Sequence, residues 1–161
     1  MAFRIGFGYD VHRLKPNLPF ILGGVVIPSD MGMVAHSDGD VLIHAVCDAL
    51  LGAANMGDIG KHFPDTDNEY KNISSLILLE RVLQLINTKK YFIVNIDTTV
   101  VVEKPKISPY AELMKENMAK ALHISADQIS IKATTNEAMG FVGRKEGITA
   151  YAVACIEIMK D

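Results

Sequence analysis

The 161-residue chain has no tryptophan, only two cysteines, six prolines and an aromatic content of 7%. Cys47 and Cys155 stand apart, each in an apolar stretch, which excludes a C-x-x-C redox or zinc motif and predicts buried, reduced thiols of the cytoplasmic kind. No apolar run reaches the length of a membrane span, and the N-terminus lacks the charged, apolar and small-residue order of a signal peptide. A cytoplasmic protein without a membrane partner is expected. There is no basic excess either: the net charge is −3 and the pI near 5.9, so no field is available to a nucleic acid. An anionic ligand would have to be held by metal ions and a few placed Lys or Arg side chains.

Familiar catalytic motifs are missing as well. "GFGYDV" opens like a dinucleotide-binding G-x-G-x-x-G but lacks its third glycine, and Gly52 to Asp58 has the start of a P-loop without Gly-Lys-Ser/Thr. No H-E-x-x-H occurs, and no serine or cysteine stands in a nucleophile motif. No repeat or linker divides the chain, so a single domain over residues 1–161 is expected, its periodic pattern opening at Phe3.

What is present reads as a mixture of strands and helices. Phe3 to Gly8, Phe20 to Leu22, Tyr91 to Val102, Ile129 to Thr134 and Thr149 to Met159 have strand character, and Gly23-Gly24 marks a turn. A helix is predicted from Asp40 through Asn55. A second follows a cap at Ser74 or Ser75 with Leu76, Leu79, Leu83 and Ile86 at helical spacing, and a third carries Leu113, Met114, Met118 and Leu122. The last strand is apolar on both faces, Ala150, Ala152, Ala154 and Ile156 on one and Tyr151, Val153 and Cys155 on the other. Three helices cover one face, which leaves the other for self-association.

Asp10 and His12 lie two apart beside a strand, so alternation points both the same way, and His44 sits on the first helix. Two histidines and a carboxylate suit a zinc site with an open position, with Asp40 or Asp48, one turn to either side of His44, orienting its ring. The plainer alternative is a solvated Asp-x-His and an unrelated packed histidine. In "AHSDGD", either Ser37 or Asp38 simply caps the His44 helix, or helix-start N–H groups together with His36 and Ser37 receive a phosphate. Asp58, Asp65 and Asp67 in "GDIGKHFPDTD" need be no more than turn residues. Glu137, after "KATT", is either a strand-end turn residue or a ligand for a metal-chelated phosphate.

Taken in order, "GFGYDVH", "AHSDGDVLIHAVCDALLGAA", "GDIGKHFPDTD", "VEKPKI", "IKATTNE" and "GFVGRKEGI" resemble the 2-C-methyl-D-erythritol 2,4-cyclodiphosphate synthase family from end to end. The resemblance implies an α/β sandwich of the α+β kind, with a mixed four-stranded sheet, helices on one face and the other face packed in a homotrimer with active sites between subunits. It implies a phosphorus–oxygen lyase in which the 2-phosphate of a cytidine diphosphate substrate attacks the β-phosphorus and CMP leaves. Asp10, His12 and His44 would bind zinc, and Glu137 a magnesium or manganese ion on the diphosphate. His36 and Ser37 would take the 2-phosphate, and Asp58 and Gly60 the methylerythritol hydroxyls, beside Phe63, Asp65 and Asp67. Cytosine would lie on Val102 to Lys106, through Val102, Lys104, Pro105 and Lys106, with Ala133 adjoining. Thr134 and Thr135 would meet the diphosphate, and His36, Ser37, Asp58 and Thr135 would be the catalytic set.

Phe141 and Arg144 complete the implied ligand contacts, although Arg144 serves equally as a hairpin ion pair. Two positions depart from the family: Val142 stands where a small or hydroxylic residue is usual, and Lys145 where glycine is usual, in the segment lining the trimer's central cavity. The same ligands would also suit a phosphohydrolase, in which water attacks instead of a substrate phosphate. A non-catalytic trimer that senses CMP or isoprenoid diphosphates is the alternative from a different class.

Overall fold

In a computed structural model of the protein, which describes residues 3–64, 66–70 and 72–159, the longest strand is β1, Phe3–Pro16. It pairs antiparallel with β7, Gly147–Ile158, in a ladder from Phe3↔Glu157 to Arg13↔Gly147. Its far end pairs with the short β4, Met31–Val34. β7 also pairs antiparallel with β5, Tyr91–Val101, across an irregularity between Ile93 and Asn95, and β5 pairs in parallel with β6, Ile129–Thr134. The order β4-β1-β7-β5-β6 makes a mixed sheet of five strands, one more than the expected four. The added strand β4 is only four residues, with one β-branched side chain and a glycine, and carries almost no strand signal. The strand expected over Phe20 to Leu22 belongs instead to a separate two-stranded hairpin of β2, Ile21–Leu22, and β3, Val25–Val26, turned by Gly23 and Gly24 at positive φ.

One glycine-rich stretch of β1 sets the distance to the helices. A Cβ on Gly6 would lie 1.9 Å from the carbonyl oxygen of Ala49, and one on Gly8 1.8 Å from that of Ala45. Helix α1, Val41–Ala53, presses directly onto the strand there through Ala45, Ala49 and Ala53, spaced four apart on one face. Beyond it, α3 (Ser75–Thr88) buries Leu79, Val82 and Ile86, and α4 (Ala111–Leu122) buries Met114, Met118 and Leu122. Leu113, expected in that stripe, is exposed. The short α2, Ile59–His62, follows α1, and α5, Gly140–Gly143, precedes β7.

The helices cover the sheet face that carries Ala150, Ala152, Ala154 and Ile156, all fully buried. The opposite face exposes Phe3, Ile5, Phe7, Tyr9 and Val11 of β1 beside Tyr151 and Val153 of β7. Rings on the two strands meet there, Tyr9 and Tyr151 at 5.1 Å between centroids. Both cysteines are free; Cys47 is buried as expected, whereas Cys155 is half-buried because it points to this outer face. No described helix is long and apolar enough to cross a membrane.

Candidate active site and metal centre

β1 extends to Pro16, so Asp10 and His12 lie within it rather than after it, and they share the parity of Gly6 and Gly8. The two glycines admit α1, and the next two same-face positions deliver their side chains to His44 on that helix. His12 Nε2 and Asp10 Oδ2 are 3.0 Å apart, His44 Nδ1 and Asp10 Oδ2 3.0 Å, and the two ring nitrogens 3.2 Å. A tetrahedral zinc ion with bonds of about 2.0–2.1 Å sets its ligand atoms about 3.3 Å apart, so the triangle fits such an ion with little adjustment. Asp10, His12 and His44 can hold a metal ion, and they are the sole cluster of this kind among the described residues.

The charges agree with the geometry. Burial alone would raise the Asp10 carboxyl, but hydrogen bonds and charge from His12 and His44 hold it well below the usual carboxylate range. Burial depresses His44, and the hydrogen bond and charge of Asp10 outweigh it, leaving the imidazole more basic than an ordinary histidine. An anion and two imidazoles facing one point form a prepared cation site.

The outer partners of His44 differ from the expected ones. Asp40 is the N-cap of α1, accepting from the Ile43 N–H at 3.1 Å and from the Gly24 N–H at 2.7 Å. Asp48 accepts from the Ile59 N–H at 2.8 Å and so tethers α2. Neither carboxylate reaches the imidazole, and the cap expected at Ser37 or Asp38 is supplied by Asp40. Instead, His44 Nε2 lies 2.9 Å from Ser75 Oγ and 3.2 Å from Ser37 Oγ, and Ser75 donates in turn to Asp38. From the sequence Ser75 reads only as a helix cap and Asp38 only as a cap for α1; a serine 31 residues from the histidine it serves has no local sequence signal.

Asp10, His12, His36, Ser37, His44, Gly60 and Phe63 line one cavity of about 370 Å³. Asp58 is the N-cap of α2, accepting from the Lys61 N–H at 2.9 Å, and Asp67 accepts from the Glu69 N–H at 2.9 Å; both show the turn role. Asp65 lies outside the described residues. Val102, Lys104, Pro105, Lys106, Ala133, Thr134 and Thr135 line a second cavity of about 610 Å³ that shares no lining residue with the first. After it, Glu137 and Ala138 take left-handed φ of 50° and 60°, and Glu103 secures that turn by accepting from the Asn136 N–H at 2.9 Å. Glu137 itself is exposed, near Thr135 Oγ1 at 3.3 Å. Phe141 borders a recess with His12, while Arg144 pairs with Glu146 at 2.9 Å as a hairpin ion pair. Lys145 adopts φ 61°, a conformation glycine reaches without strain, and Val142 is buried.

Residues 3–157 match the YgbB family. The chain is 55% identical over 154 residues to 2-C-methyl-D-erythritol 2,4-cyclodiphosphate synthase of Clostridium botulinum strain Hall, covering 96% of this chain and 99% of that one. Its fold is similar to that of the bifunctional IspDF from Campylobacter jejuni, with a TM-score of 0.95 and 40% identity over 99% of this chain and 43% of that chain. A CDP complex of IspF from Plasmodium falciparum matches with a TM-score of 0.87 and 35% identity over 99% of this chain and 98% of its own.

Proposed function

The chain belongs to the YgbB family, and from that premise we propose that it converts 4-diphosphocytidyl-2-C-methyl-D-erythritol 2-phosphate to 2-C-methyl-D-erythritol 2,4-cyclodiphosphate and CMP, in non-mevalonate isoprenoid biosynthesis. The observation that carries the reading is the Asp10–His12–His44 triangle in the wall of a cavity that also presents His36 and Ser37. Asp10, His12 and His44 hold zinc, and Glu137 holds magnesium or manganese on the substrate diphosphate. Such ions supply charge neutralisation where phosphate oxygens crowd together.

The protein's own groups do the aligning. Ser37 and His36 donate to the 2-phosphate and fix its attacking oxygen. Asp58 and Gly60 take the methylerythritol hydroxyls, with Phe63, Asp65 and Asp67 around them. Backbone groups of Val102 to Lys106, with Ala133, receive cytosine, and Thr134 and Thr135 receive the diphosphate. An oxygen of the 2-phosphate then bonds to the β-phosphorus, the bond from that phosphorus to the bridging oxygen breaks, and CMP leaves with the oxygen. Both reacting groups belong to one substrate, so holding them in line replaces a protein nucleophile.

The reading extends to one domain over residues 1–161, a cytoplasmic location and a homotrimer. The two cavities share no residue within a chain, and a large apolar sheet face is exposed, as expected when neighbouring subunits assemble the site between them. Phe141 and Arg144 stand on the hairpin that would face the trimer's centre, where Val142 and Lys145 depart from the family. The experiment is incubation with the diphosphocytidyl substrate while CMP release and the phosphorus NMR spectrum of the product are followed. A cyclic diphosphate is expected; a linear phosphate would establish hydrolysis instead.

A further inference from the structure

Behind the metal centre lies a hydrogen-bonded line that none of these roles uses. Ser75, the first residue of α3, is fully buried, and its Oγ sits 2.9 Å from His44 Nε2. The same hydroxyl donates to Asp38 Oδ1, while Asp38 Oδ2 accepts from the Ser75 backbone N–H at 2.8 Å. Asp38 Oδ1 also faces the Asp40 N–H at 3.2 Å. With backbone donors converging on it, Asp38 is the acceptor throughout, as an ionised carboxylate must be.

We propose that Asp38 and Ser75 are positioning residues for the metal centre: they fix the tautomer and ring orientation of His44 so that Nδ1, and not Nε2, is the ligand atom facing Asp10 and His12. A serine hydroxyl has one hydrogen, and here it is committed to Asp38. Toward His44, Ser75 Oγ is therefore only an acceptor, and the imidazole must carry its proton on Nε2. A cation entering the site displaces the proton that Nδ1 shares with Asp10; the imidazole is then neutral with its one N–H on Nε2, and Nδ1, 3.0 Å from Asp10 Oδ2 and 3.2 Å from His12 Nε2, gives its lone pair to the cation. A second consequence follows for Ser37, whose Oγ is also within 3.2 Å of Nε2. Because the nearer Ser75 Oγ accepts the hydrogen bond from Nε2–H, the Ser37 hydroxyl stays available to an anionic oxygen in the cavity that it lines and Ser75 does not.

The inference rests on the reading that the triad holds zinc, and the test separates the two. Metal-free wild type, Ser75→Ala, Asp38→Asn and a control, Ser74→Ala, are titrated with zinc against a chromophoric chelator. Ser75→Ala and Asp38→Asn should bind zinc about tenfold to a hundredfold more weakly, the usual effect of losing an outer partner of a metal-bound histidine. Ser74→Ala should match wild type, because the Ser74 side chain makes no cap bond. Nitrogen-15 NMR of zinc-loaded, histidine-labelled wild type should show His44 protonated on Nε2 and metal-bound through Nδ1. This measurement needs no variant and decides the matter if a variant fails to fold. Wild-type zinc affinity in a folded Ser75→Ala, or zinc on Nε2 of His44, would overturn the positioning role alone. A wild type that takes up no zinc would overturn the metal reading and with it this one.

Discussion

The approach of α1 to β1 can be tested by adding a single methyl group to Gly8. A Cβ there would stand 1.8 Å from the Ala45 carbonyl oxygen and 2.8 Å from both the Ala45 carbonyl carbon and the Ala49 nitrogen. Real Cβ contacts need at least 3.0 Å, 1.2 Å more than the 1.8 Å available, and all three obstacles are backbone, so no rotamer change relieves them. The helix must retreat from the strand. Overpacking of this kind costs typically 1–3 kcal/mol, and with backbone displaced Gly8→Ala should reach about 3 kcal/mol, or roughly 6–12 °C in Tm for a chain of this size.

The same retreat acts on the metal triangle, since His44 rides on α1 while Asp10 and His12 stay on β1. The 3.0 Å between His44 Nδ1 and Asp10 Oδ2 would open toward about 4 Å, beyond the roughly 3.3 Å a tetrahedral zinc ion spans. Zinc content should therefore fall with stability. Gly52→Ala is the matched control: on the same helix, its Cβ would meet nothing closer than the Phe7 carbonyl at 4.0 Å, so the substitution should stabilise by about 0.5–1 kcal/mol. Thermal unfolding with zinc and with chelator, alongside metal analysis, measures both effects. A Gly8→Ala protein that melts with wild type and retains full zinc would refute the claim that these glycines set the site.

Three further outcomes are expected. Glu137→Gln should fold and keep its zinc but release CMP at least roughly a hundredfold more slowly, with partial rescue by high magnesium or manganese; unchanged turnover across a metal titration would return Glu137 to a plain turn role. Phe7→Asp, placing a charge on the exposed apolar face, should convert a trimer mass in light scattering to a monomer, and a mass still three times the chain's would show that another surface forms the assembly. Burial pushes the Asp40 carboxyl up to about 6, against the Gly24 and Ile43 N–H groups that favour its charge. The folded chain then binds a proton that the unfolded chain has lost between about pH 4 and 6, so this group's contribution to stability falls as pH rises through that window, by on the order of 3 kcal/mol. Asp40→Asn lacks that fall; chemical denaturation of the metal-free proteins should show the variant gaining on wild type from pH 4 to 7, and a constant difference would mean Asp40 does not titrate there.

The metal triad was legible because its logic tolerates errors in the element boundaries. The strand pattern suggests an end at Gly8, yet β1 continues to Pro16; period-two alternation puts Asp10 and His12 on one face in either case. The spacing of Gly6 and Gly8 was visible too, but a phosphate-binding fingerprint is the wrong comparison for it. Their parity with Asp10 and His12, together with alanines every fourth residue on α1, is the signal that a helix lies against that face and brings His44 along. The outer partners of His44 were not legible. Asp40 and Asp48 are its neighbours by helical spacing, but backbone donors from the Gly24 turn and from α2 claim their carboxylates, and such competition is settled only by tertiary contacts.

The sheet's two faces show how one constraint accounts for an otherwise odd strand. On β7 the side chains toward the helices are mostly small, Ala150, Ala152 and Ala154, while the larger Tyr151 and Val153 point outward. A free-standing two-layer domain would reverse this, keeping its bulk for the interior. The inward alanines accompany a helix seated so closely that β1 admits only glycine at Gly6 and Gly8, and that closeness brings Asp10, His12 and His44 to within 3.2 Å of one another. The outward residues have no such restriction, and with Phe7 and Tyr9 alongside they form an apolar surface that water solvates poorly. Close packing on the inner face therefore serves the metal centre, and bulk on the outer face favours burial against further copies of the chain, which is the physical basis of the proposed trimer.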